Sequence, residues 1–151
     1  MLERLIKKLR EAINTPEVPQ TFPVYSGTSL NNYKMSAHMT SKGVWFDKSR
    51  NPRNFYKEFY FFEIPEYAFE HASITAYGIH DLPVVISGNI PVKYKGGRDR
   101  LPAGTIFPVS HLWIPTDDIT PENMAEKLST HEGYAKLMSN FIEVDPTSLL
   151  E

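Results

Sequence analysis

Apolar residues at Leu2, Leu5, Ile6, Leu9 and Ile13 recur at the i, i+3, i+4, i+7 spacing of an amphipathic helix. Thr15-Pro16 ends it, because the residue before a proline is displaced from helical backbone angles. The stripe predicts a packing helix that closes one side of a domain. Glu3 and Glu11 weigh against a helix lying on a membrane surface. A proline-punctuated approach over 16–23 leads into Val24-Tyr25-Ser26-Gly27-Thr28, read as a strand ending at glycine, and 29–37 reads as a polar turn or short helix. Gly43-Val44-Trp45-Phe46 is a second apolar strand, followed by a polar loop over 47–52. Phe55, Phe59 and Phe62, with Tyr56 and Tyr60 between them, predict a short buried helix over 53–62, although their aromatic density also suits a strand.

The middle of the chain reads as short β-prone runs over 73–79, 83–86 and 90–94, broken by Gly78, by Asp81-Leu82-Pro83 and by Gly88-Asn89. A charged loop over 95–100 precedes a further strand over 105–114. Thr120-Pro121 carries a helix-start signal, with threonine as cap and proline at the first helical position. Two helices over 121–129 and 131–142 are therefore expected, with a frayed tail from Asp145. A helix, then strands mixed with short helices, then helices define an α+β fold of one domain.

Composition narrows the chemistry. The chain of 151 residues is 41% hydrophobic and 23% charged, the balance of a globular protein long enough to bury its own core. Sixteen basic and 18 acidic residues give a net charge of −2, which disfavours nucleic acid and polybasic membrane binding. With no cysteine there is no disulfide, thiolate metal site or cysteine nucleophile. No apolar run reaches transmembrane length and the first residues lack a signal-peptide core, so a soluble, cytoplasmic protein is expected.

Three segments in order resemble the ADP-ribosyltransferase fold, in the branch of bacterial exotoxins and phage or vertebrate arginine-directed transferases. Val24-Tyr25-Ser26-Gly27-Thr28-Ser29, after an amphipathic helix, is similar to that family's first strand, which reads aromatic-Arg-Gly-Thr. Gly43-Val44-Trp45-Phe46-Asp47-Lys48-Ser49 stands where the family has an apolar strand running into Ser-Thr-Ser. Leu101-Pro102-Ala103-Gly104-Thr105-Ile106-Phe107-Pro108-Val109 resembles its Leu-Pro-x-Gly-Thr-x-Phe-x-Val. The resemblance spans about 2–114 and leaves a helical extension over 119–142 unmatched.

The resemblance implies a split β core that holds NAD in a cleft and cleaves its nicotinamide–ribose bond, with a carboxylate stabilising the developing cation. It implies Asp99 and Ser49 as catalytic, with Glu63 and Glu58 as reserve carboxylates. Tyr25, Ser26, Gly27, Thr28, Trp45 and Phe46 would contact NAD, Phe46 by stacking. The family's first-strand arginine is replaced by Ser26 and its glutamate position reads Arg98. Lys34, Lys48 or Arg50 would then take over the diphosphate, as cations suited to oxygen pairs.

Two functions follow. One is a divergent NAD-dependent transferase moving ADP-ribose to a protein or nucleotide target. The other is an inactive module of the same fold that binds a nucleotide-like ligand or a partner protein. Bare residue chemistry offers less. Strand ends and core packing account for Tyr25 to Thr28 and for Trp45-Phe46 without any ligand. His38-x-Thr40 fits one half of a two-histidine phosphoesterase, but Trp113 stands where the second motif, at His111, needs a hydroxyl. The five histidines show no metal-binding spacing. Tyr56, Tyr60, Phe61 and Phe62 beside Arg50, Arg53 and Lys57 read as a core stripe with solvated charges rather than a nucleic-acid surface.

Overall fold

A computed structural model describes residues 1–14, 20–51, 59–95, 100–102, 105–128 and 133–150, and it is α+β with antiparallel sheets. Helix α1 (Leu2–Asn14) precedes β1 (Thr21–Ser29), α2 (Leu30–Ser36) and the hairpin of β2 (Ala37–Thr40) and β3 (Gly43–Asp47). A 3₁₀ turn, Lys48–Arg50, follows, and then β4 (Phe59–Tyr60), α3 (Pro65–Gly78) and β5 (Pro83–Pro91). The chain continues through β6 (Arg100–Leu101), β7 (Ile106–Val109), β8 (His111–Pro115), α4 (Met124–Lys127), α5 (Tyr134–Met138) and β9 (Phe141–Val144).

The principal sheet has the order β1-β5-β8-β9, and a second has the order β2-β3-β7. Only Ser110 separates β7 from β8, so one extended run of chain serves both sheets, and the Ser110 N–H donates to the Ser87 carbonyl at the join. Strand alternation divides the interior. Phe22, Val24 and Ile86 point toward the second sheet and join Tyr33, Phe46, Phe59 and Phe107 in one cluster. On the opposite face Val85 meets Ala68, Phe69, Ala72 and Ala76 of α3, with Met124, Leu137 and Phe141 beyond them. Gly27 sits under α3, where a Cβ would lie 2.6 Å from the Ala72 backbone nitrogen. Alanines on the helix and glycine on the strand permit that close approach.

Several expectations are corrected. Helix α1 forms as expected, but Leu2, Leu5 and Ile6 are 70%, 57% and 41% exposed, so those positions do not close the domain. Residues 73–78 belong to α3 and Ile79 to its C-terminal turn, not to a strand. The exposed Ile74, Tyr77 and Ile79 supplied the β-prone signal, whereas the buried stripe is alanine-rich. β1 runs through Gly27, and β5 runs through Gly88-Asn89 as a single strand. Phe59–Tyr60 is a strand; residues 53–58 of the expected helix lie outside the described residues.

The C-terminal region holds two short helices and a strand, because β9 adds to the edge of β8. Thr120 caps a turn rather than a helix: the Asn123 N–H donates to its hydroxyl, and the Asn123 side chain accepts from the Thr120 N–H. The tail is anchored rather than frayed. The buried Tyr33 hydroxyl donates to the Pro146 carbonyl at 2.7 Å, and Leu149 and Leu150 pack on the first cluster.

Burial, with the Asp145 carboxylate adding to it, pushes the Tyr33 hydroxyl well above its ordinary range. The folded state therefore keeps this proton where the unfolded chain releases it, above about pH 10. Stability is expected to fall as pH rises beyond that point, and Tyr33→Phe is expected to remove that share of the loss. Urea midpoints at pH 8 and pH 11 check both statements.

Candidate functional site

The expected site residues separate onto different faces. On β1, Ser26 and Thr28 point toward the second sheet, whereas Tyr25 packs on the α3 side with its ring 5.9 Å from Trp113. Ser26 is 4% exposed, and its hydroxyl donates to the Tyr60 carbonyl at 2.7 Å. Tyr60 pairs with Arg100 in the β4–β6 ladder, so this corner joins the first strand to the segment following Asp99. Asp99 and Glu58 lie outside the described residues, and Glu63 is exposed.

Phe46 is completely enclosed, stacked on Tyr33 at 6.2 Å and edge-on to Phe59 at 5.8 Å. That enclosure corrects its expected stacking role: the ring has no face to offer a ligand. Trp45 lies on the other surface of β3, half-buried, opposite His38 in the hairpin ladder. Ser49 gives both its N–H and its hydroxyl to Asp47 Oδ1, at 2.9 and 2.5 Å, which caps the 3₁₀ turn. Tyr25 and Phe46 therefore belong to separate clusters.

His71 of α3 sits beside the rings of Tyr60 and Phe62, with its Nδ1 buried and unpartnered among the described residues. Burial, followed by the nearby Lys48 ammonium, pulls its pKa down, and a hydrogen bond with the Gly27 backbone opposes them. His38 and His111 stand in different sheets, and the His111 Nδ1 pairs with Glu143 across β8 and β9.

What does open to solvent is the C-terminal end of β1. A cavity of about 660 Å³ is lined by Thr28, Asn31, Asn32 and Lys34, together with Asn51 and Asp81. The Asn32 amide donates to the Thr28 hydroxyl at 2.6 Å, and its oxygen accepts from the Asn51 amide at 2.9 Å. The buried Asp81 carboxylate accepts from the backbone N–H groups of Asn31 and Leu82, fixing the start of α2 against β5. Such a wall, already ordered by its own hydrogen bonds, suits a polar, uncharged group carrying hydroxyls or amides. Its volume lies in the range of small-molecule sites.

Thr28 is the expected NAD-contacting residue that lines this cavity; Lys34, expected at the diphosphate, joins it. Asn32, Asn51 and Asp81 are not among the site residues that the resemblance implies. The available signals were Ser29-x-x-Asn32, a cap spacing at the start of α2, and an acid directly before Leu82-Pro83. Among the described residues, no helix is long and apolar enough to cross a membrane. No protein-family model, curated protein or solved structure matches this chain.

Proposed function

We propose that this chain is an ADP-ribosyltransferase-like domain that binds a nucleotide-like ligand without turning over NAD. The observation that carries this reading is the contrast between two neighbouring positions on one face of β1, Ser26 and Thr28. At the position of the family's first-strand arginine, Ser26 is buried and bonded to the Tyr60 carbonyl. At Thr28, a cavity of about 660 Å³ stands open, with the polar groups of Asn32, Asn51 and Asp81 set beside Met35 and Ile79. The split arrangement of strands supports the fold: two antiparallel sheets share the run through Ser110, and the segments that resemble the family supply β1, β3 and β7. NAD cleavage needs a carboxylate placed against an oxocarbenium ion, and the position of the family's glutamate reads Arg98, of the opposite sign.

The test is thermal unfolding in NAD and in ADP-ribose, together with chromatography for released nicotinamide. Binding to the native state alone raises Tm by mass action, by about 5–10 °C at a hundredfold excess over Kd. The expected result is such a shift with at least one of the two, and no nicotinamide above the protein-free rate. Nicotinamide release that tracks protein concentration would establish the active transferase instead. No shift with either compound would leave the fold without this ligand class.

A further inference from the structure

A second cavity, of about 630 Å³, adjoins the first across the last turn of α2, since Lys34 and Met35 line both. Its other walls include His38 and Met39 of β2, Arg50 of the 3₁₀ turn and Leu150 of the tail. Its charge differs from that of its neighbour. The first cavity sets Lys34 against the buried Asp81 carboxylate; the second is lined by Lys34 and Arg50 with no acidic residue on its walls among the described residues. Neither cation has a hydrogen bond or carboxylate partner among the described residues.

We propose that this second cavity is an anion subsite, in which Lys34 and Arg50 hold the phosphate of a nucleoside phosphate whose uncharged part occupies the cavity at Thr28, Asn32 and Asn51. The assignment rests on the nucleotide-binding reading above and narrows it, since an uncharged nucleoside alone would fill only the first cavity. Two cations brought to one concave wall repel each other, and an anion between them removes that repulsion while keeping both solvated in part. Arginine's planar fork takes two phosphate oxygens at once, whereas lysine acts as a mobile point charge. Asp81 gives the ligand its direction: a phosphate at the first cavity would face a buried carboxylate, so the anion lies toward Arg50.

Calorimetric titrations of adenosine, AMP and ADP test this on the full chain, on Lys34→Gln, on Arg50→Gln and on the double variant. Both cations are exposed, so the variants are expected to keep the wild-type Tm. ADP is expected to bind at least about tenfold more tightly than adenosine, the effect of one charge-assisted hydrogen bond. The gap is expected to shrink in each single variant and to close in the double variant, with adenosine affinity unchanged in Arg50→Gln, whose side chain lines the second cavity alone. Raising the salt is expected to weaken ADP and spare adenosine. Pyrophosphate is included to separate a nucleotide from a free phosphate source: weak competition with ADP supports the assignment, and binding tighter than that of ADP overturns it. Adenosine and ADP binding equally, or a gap that survives the double variant, overturns the anion subsite and leaves the nucleotide-binding reading standing. Binding by none of the three overturns both.

Discussion

Gly88→Ala is expected to destabilise the protein by about 3 kcal/mol or more, because an added methyl would occupy space that backbone already fills. A Cβ at Gly88 overlaps the Pro108 carbonyl oxygen, stands 3.0 Å from the Pro108 carbonyl carbon and 3.2 Å from the Phe107 ring. Pro108 is held opposite Trp45 in the β3–β7 ladder, so its oxygen has no rotation by which to withdraw. The relief available is separation of the two sheets where β5 passes beneath β7, close to the join at Ser110. Urea unfolding of wild type and variant measures the difference. Wild-type stability in Gly88→Ala would mean that the sheets do not meet there.

The second large effect concerns Phe46. Its ring is fully enclosed and bridges Tyr33 to Phe59, which in turn stacks on Phe107 at 4.9 Å. Phe46→Ala removes the middle of that chain of rings, and truncations of this size in a rigid core cost about 3–5 kcal/mol. Against a typical total of about 5–15 kcal/mol, that loss leaves a marginal domain. A lowered Tm with ligand affinity preserved below the transition is the expected outcome. Unchanged stability with lost ADP-ribose affinity would return Phe46 to the stacking role its motif implies.

The elements that could be read from the sequence were those whose apolar pattern coincides with what they bury. β3 alternates Val44 and Phe46 inward with Trp45 outward, and α2 follows directly from Ser29 and its cap bond to Asn32. Helix α3 was illegible for the converse reason. Its buried stripe is Ala68, Ala72 and Ala76, small residues that weigh little in any hydrophobic pattern, while Ile74 and Tyr77 face solvent. Its remaining signal was Pro65 at the first helical position. β5 was divided at Gly88 because a glycine inside a strand reads as a break, when here it marks a close approach of backbone. β9 carries the helix-compatible sequence Phe-Ile-Glu-Val and is a strand because β8 presents an edge to it.

The candidate site divides along the same line. Thr28 and Lys34 are legible because the first-strand motif contains the one and the diphosphate calls for a cation such as the other. Asn32, Asn51 and Asp81 are brought together from three separate stretches of chain, a proximity that only the fold creates. Tyr25 and Ser26 are neighbours in sequence and point to opposite faces of one strand, as the two-residue period of a strand requires.

The most direct measurement of where the ligand sits is amide chemical-shift mapping during an ADP-ribose titration. Saturable shifts are expected at 28–39, at Arg50 and Asn51, at 75–81 and at Leu149 and Leu150, the segments that wall the two cavities, with Tyr25 and Trp113 on the α3 face of the principal sheet unmoved. Saturable shifts centred on Tyr25 and Trp113, or no shifts at millimolar ADP-ribose, would contradict that placement.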